Sequence, residues 1–144
     1  MRKPAASAAR PRGTDSKPHE RLKAWSACHE LVLAVYRETG SWPASETHGL
    51  AAQARAVAFS AALNLAEGSA PGLRDFRRCL DVALGSLAEL ACILVIARDI
   101  GLMGGSAFGE VEVLRDHASR LTRGLQRALE RRAGSAPEAG AAYS

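Results

Sequence analysis

Apolar residues recur at steps of three and four in four separate stretches of this chain, the spacing of an α-helix that buries one face. In the first, about residues 20–39, Leu22, Trp25, Cys28, Val32, Val35 and Thr39 form the stripe, and Gly40 followed by Trp42-Pro43 ends it. The second, about 47–67, repeats the spacing with Leu50, Ala54, Val57, Ala61 and Leu65 until Gly68 and Pro71-Gly72 break it. Its small residues predict the close approach of a neighbouring helix. The third, about 73–101, aligns Phe76, Leu80, Ala83, Leu87, Leu90, Leu94 and Ala97, with Arg74, Arg78, Asp81 and Glu89 opposite. From Leu90 to Ala97 it is apolar all the way round, which predicts burial on every side. Gly101, Gly104 and Gly105 end it. The fourth, about 107–132, uses Val111, Leu114, Ala118, Leu121, Leu125 and Ala128. Four such segments with short connections predict an all-α fold, an antiparallel up-down four-helix bundle over residues 19–132. Residues 1–18 and 133–144 are rich in small residues and lack periodicity, so both are expected to be disordered tails.

Composition sharpens this picture. A chain of 144 residues fits one domain, which at this size buries roughly 70% of its unfolded surface. Apolar residues make up 47% and aromatic residues only 5%, so the core must be small, aliphatic and helix-prone. The net charge of +4 resides in the first tail, where Arg2, Lys3, Arg10, Arg12 and Lys17 face Asp15 alone. The rest of the chain is balanced, so attraction of the folded part to a polyanion has to come from local clustering. Cys28, Cys79 and Cys92 are odd in number and lie in apolar helical patterns, as reduced thiols of a cytoplasmic protein would. The N-terminal region lacks the apolar segment of a signal peptide, and the run from Leu90 to Ala97 falls short of the ~20 residues that span a bilayer. The expectation is a cytoplasmic protein without a membrane partner.

Three ordered blocks carry a resemblance. Thr39-Gly40-Ser41-Trp42-Pro43 with Glu46, Gly49-Leu50 and Gln53 resembles the turn and second-helix entry of the bacterial four-helix-bundle proteins encoded by 23S rRNA intervening sequences. Asn64-Leu65-Ala66-Glu67-Gly68 resembles that family's end of helix two, and Ala83-Leu84-Gly85-Ser86-Leu87-Ala88-Glu89-Leu90 its helix-three signature. Leu22 and Trp25 fit the start of helix one. The resemblance, over about residues 20–132, implies a four-helix bundle. Similarity to the accessory protein of diversity-generating retroelements further implies a ring-shaped homopentamer that binds nucleic acid and a reverse transcriptase. Unlike the basic loop common in that family, Gly68–Leu73 is neutral until Arg74.

Candidate sites follow from the spacing of polar residues. Arg120, Arg123, Arg127 and Arg131 recur at steps of three, four and four, which lines their guanidinium groups along one helix face. Repeated by symmetry in an oligomer, such a row could track a phosphate backbone. Arg74, Arg77 and Arg78 form a second basic cluster, with Asp75 and Asp81 beside it. Neither cluster is interleaved with aromatic residues, so base stacking has no platform. Gln53, Ser60, Asn64 and Glu67 form a polar seam along helix two, with Glu89 as a partner across from it, and the structural role of fixing register is preferred to a ligand site. Ile93, Ile96 and Ile100 mark an apolar girdle suited to self-association. No phosphate loop, zinc pair, nucleophile elbow or di-iron Glu-x-x-His pair occurs, so no catalytic residue, metal or cofactor is expected. The function expected is that of a non-enzymatic, oligomeric accessory factor that binds nucleic acid, RNA in particular, through repeated arginine-lined helix faces. The alternative is a protein-binding or structural oligomer with no nucleic-acid role.

Overall fold

The computed structural model describes the backbone of residues 18–67 and 73–135. Four helices fill it: α1 (Pro18–Thr39), α2 (Leu50–Glu67), α3 (Leu73–Asp99) and α4 (Gly105–Ser135), with a single 3-10 turn at Ala44–Glu46. Each helix packs on its chain neighbours and α1 packs on α4, while the diagonal pairs make no close backbone approach. The side-chain contacts pair the end of one helix with the start of the next: Thr39 meets Arg55, Arg98 meets Phe108, and Asp81 near the start of α3 meets Gln126 near the end of α4. Neighbouring helices therefore run in opposite directions, and the bundle is a square. Helix α4 continues three residues beyond its expected end at 132, and α1 begins at Pro18, inside the expected tail. Residues 1–17 and 136–144, where the disordered tails are expected, lie outside the described residues, as does the connection 68–72.

The core is aliphatic, as composition requires. Phe76, Leu31, Leu80, Leu87, Leu90, Leu94, Leu125 and Leu129 are fully buried, and α2 contributes Ala51, Ala54, Ala58 and Ala61. A buried leucine stabilises a fold by roughly 1.5–3 kcal/mol, whereas the alanines act mainly by letting α2 approach its neighbours. The α3 stripe is buried at every expected position. On α1 the core line is instead Ala24, Cys28, Leu31 and Val35, leaving Leu22 62% exposed and Trp25 and Val32 half-buried. On α4 the fully buried residues include Thr122 and Leu129, while Leu114, Leu121 and Ala128 are half-buried. Both shifts have one cause. Where small and polar residues can enter a core line, the apolar spacing fits two adjacent lines, and only the neighbouring helices choose between them.

The girdle of α3 is not covered all round. Ile93 is buried, whereas Ile96 is 48% and Ile100 58% exposed, with Val95 and Cys92 also at the surface. A square of four helices leaves every helix one outward face, so an all-apolar segment must present part of itself to solvent. The stretch Asp75–Asp99 has the length and apolar content to cross a bilayer, and its core row supplies much of that apolar content.

The α1–α2 corner accounts for the first motif block. Thr39 Oγ1 donates to the Val35 carbonyl at 2.7 Å and accepts from Arg55 Nε at 2.8 Å, which ties the end of α1 to the start of α2. Ser41 Oγ donates to the Glu38 carbonyl, and Trp42 Nε1 donates to the Glu38 carboxylate at 2.9 Å. The Glu46 carboxylate accepts from the Leu50 N–H, satisfying one orphan donor at the α2 start. A Cβ on Gly49 would lie 2.9 Å from that carboxylate. At the far end of α3, Gly101 adopts φ 86°, and the Leu102 and Gly101 N–H groups return to the Ala97 and Arg98 carbonyls. That left-handed cap stops the helix.

Candidate nucleic-acid interface

Helix α4 buries Val111, Ala118, Thr122, Leu125 and Leu129, so its opposite face is dictated by helical rotation. That face holds Arg120, Arg123, Arg127 and Arg131, all exposed. At 1.5 Å of rise per residue the row is about 17 Å long. Arg120 Nε pairs with the Asp116 carboxylate at 2.9 Å, with both side chains largely in solvent, and among the described residues the other three take no ion pair. The second cluster divides. Arg77 and Arg78 are exposed at the start of α3, and the side chain of Arg74 lies outside the described set. Asp81 beside them accepts a hydrogen bond from Gln126 Nε2 at 2.6 Å, which joins the start of α3 to the arginine-bearing end of α4.

Antiparallel packing therefore gathers Arg123, Arg127 and Arg131 at the end of the bundle where the second cluster starts α3, with Arg120 at the midpoint of α4. Cutting each helix at its midpoint, the half containing the starts of α1 and α3 and the ends of α2 and α4 holds nine Lys or Arg against five Asp or Glu. The other half, including the 3-10 turn, holds five against eight. A chain segment that is nearly neutral as a whole is thus polar end to end, about +4 against −3. The first described residue, Pro18, starts α1 at this positive end.

The seam of α2 contracts to a smaller motif. Asn64 Nδ2 donates to the Ser60 carbonyl at 2.8 Å and approaches Ser60 Oγ, which accepts from Ser86 Oγ of α3 at 3.1 Å. Gln53, Glu67 and Glu89 are exposed and have no side-chain hydrogen bond among the described residues. These three are solvated because they lie further round the helix than the two serines. The interface residues also separate: Ile93 packs into the chain's own core, which removes it from the outer surface, while Ile96 and Ile100 stay accessible.

The comparisons with known proteins bear on the same residues. Residues 20–125 match the model of the 23S rRNA-intervening sequence protein family. The chain belongs to that family. No curated protein sequence matches it. The intervening-sequence protein match takes in all three motif blocks, Arg120 and Arg123, and stops short of Arg127 and Arg131. It also takes in Arg21, which the apolar stripe passed over. Arg21 stands seven residues before Cys28 and fourteen before Val35, on the core line of α1, and only 6% of its surface is exposed. The sequence signal for it was a charged residue at a core position.

Around the thiols and histidines there is little catalytic arrangement. Cys28 is buried and hydrogen-bonded to Thr122, and burial pushes its thiol up to about 12 despite that bond. His29 stacks on Trp25 at 5.0 Å between ring centroids. Among the described residues no group of three or more His, Cys, Asp or Glu could hold a metal ion.

Proposed function

We propose that this intervening-sequence protein is a non-enzymatic, cytoplasmic, oligomeric accessory factor that binds nucleic acid, RNA in particular, through its basic end and the arginine row of α4. The observation that carries this reading is the convergence of Arg123, Arg127 and Arg131 with the arginines at the start of α3 on one end of a bundle whose helical part is almost neutral. A guanidinium fork donates two hydrogen bonds to adjacent phosphate oxygens, and a solvent-facing row of four offers them without competition from buried partners. Among the described residues the aromatic side chains of Phe, Tyr and Trp that are 40% or more exposed are Tyr36 on α1 and Phe59 on α2, and none is on α4. Recognition is therefore electrostatic and follows the backbone rather than the bases. Fluorescence anisotropy with labelled RNA and DNA at 50 mM salt tests this, and absence of binding to both would overturn it.

Self-association is the second part of the proposal. Leu22, Leu33, Tyr36, Phe59 and Leu63 are each 40% or more exposed along α1 and α2, and Val82, Ile96 and Ile100 likewise along α3. Apolar surface at that density favours contact with sister subunits. A ring of five, the arrangement implied by likeness to the retroelement accessory protein, would repeat the α4 arginines around an axis, and a reverse transcriptase is a candidate partner. Should nucleic acid fail to bind, these same faces favour a purely structural or protein-binding oligomer.

A further inference from the structure

Arg21 has no visible reason to be charged. All three of its guanidinium nitrogens are buried and none has a hydrogen-bond partner among the described residues. No carboxylate forms an ion pair with it there. Its one charge-related contact is with the face of Phe76, whose ring centroid lies 5.5 Å from Cζ. A cation over an aromatic face recovers only part of the cost of leaving water, and an uncompensated buried charge is among the most expensive features a fold can hold. Burial accordingly draws the guanidinium pKa below its ordinary value. A methionine would fill this core position of α1 without that cost.

The location says what would compensate it. Arg21 lies in the first turn of α1, and Phe76 in the first turn of α3. Each of these turns has free N–H groups and the positive end of a helix dipole, with one carboxylate of its own, Glu20 on α1 and Asp75 on α3, and the guanidinium spans the diagonal between them to reach Phe76. Both turns lie at the end of the bundle that carries about +4. Helix starts and a guanidinium fork share one preferred ligand, a tetrahedral oxyanion of high charge. We propose that Arg21, with the starts of α1 and α3, forms a site for a single phosphate group. Binding at this site requires the long Arg21 side chain to swing off Phe76 so that its fork meets the phosphate. This site goes beyond the arginine row of α4: it lies between helices, and it takes one phosphate group rather than the length of a backbone.

Thermal unfolding of the full chain, titrated with inorganic phosphate at constant ionic strength, tests the proposal on wild type and R21M. The expected result is a wild-type rise of roughly 5–10 °C once phosphate reaches about a hundred times its Kd. R21M is expected to melt above wild type in phosphate-free buffer and to lack that rise. An equal rise in both proteins overturns the site. If R21M does not fold, calorimetric titration of phosphate into wild type and R21K decides: one saturable site per chain, weakened tenfold or more in R21K, supports the proposal, and no saturable heat in wild type overturns it. Competition by 5′-phosphorylated and 5′-hydroxyl oligonucleotides of one sequence then identifies the source. Stronger competition by the phosphorylated strand assigns a nucleic-acid terminus, and equal competition beside a retained phosphate response assigns a small phosphate compound. A variant with the four α4 arginines changed to Gln, which keeps its phosphate response while losing oligonucleotide binding, would show the failure of one site to be distinct from that of the other.

Discussion

Replacing Arg120, Arg123, Arg127 and Arg131 together by Gln should weaken nucleic-acid binding and, more tellingly, flatten its dependence on salt. The row is about 17 Å long, and duplex phosphates on one strand advance ~3.4 Å along the axis, so it covers about five of them. Each phosphate neutralised releases counterions, and four contacts on a duplex give log K against log salt a slope of about −3.6. Between 50 and 200 mM salt the wild type should therefore lose roughly 150-fold in affinity for each subunit engaged. On single strands the same four contacts predict a slope of about −2.8 and a loss of roughly fifty-fold. The variant should fold normally, because all four side chains point into solvent and only Arg120 gives up an ion pair, with Asp116, that is largely exposed. The assay is anisotropy of labelled duplex DNA and single-stranded RNA at four salt concentrations, with circular dichroism melts as a control for folding. A variant slope equal to that of wild type would mean that these arginines touch no phosphate, and would refute the reasoning.

Other consequences follow from the packing. Leu90→Ala removes a fully buried side chain from the centre of α3 and should destabilise the fold by about 2–5 kcal/mol, read as a lower midpoint in chemical denaturation. Ile96→Glu with Ile100→Glu places charge on the exposed part of the girdle and should reduce the mass seen by light scattering after size exclusion without lowering helicity; an unchanged mass would exclude this face from the oligomer contact. Cys92 should react with a thiol reagent in the folded protein and Cys28 only on unfolding, as mass spectrometry of the labelled chain would reveal. The folded Cys28 pKa of about 12 is raised above the unfolded value of 9.0. The folded state thus holds the proton longer, its stabilising share is complete below pH 9, and it declines between pH 9 and 12 by ~1.4 kcal/mol per pH unit relative to Cys28→Ala.

Several features of this protein were legible residue by residue because they depend on local physics. Helix ends came where Gly101 and the Trp42-Pro43 pair announced them, since a positive φ stops a helix and a proline without an N–H cannot continue one. The α3 stripe was readable throughout because its large aliphatic side chains leave one choice of face. The arginine row of α4 was readable too, for a step of three or four residues determines a shared face before any neighbour is known.

Tertiary structure decided what a single helix cannot. The core line of α1 turned from Leu22 and Trp25 toward Ala24 and Leu31, because small side chains let a neighbour sit closer than the apolar spacing alone implied. Ile93 went inside and Ile96 stayed out, although the sequence around both is equally apolar; the difference is only which of them lies on the inward side of α3 in a square of four. Charge polarity arose the same way, as antiparallel packing brought the start of α3 beside the end of α4 and separated charges that nearly cancel along the chain. Arg21 is the sharpest case. The chain spells out an ordinary arginine, and three-dimensional packing alone puts its cation against Phe76 with no counter-charge among the described residues, since pairing across helices is a property of distance in space and not of position in sequence.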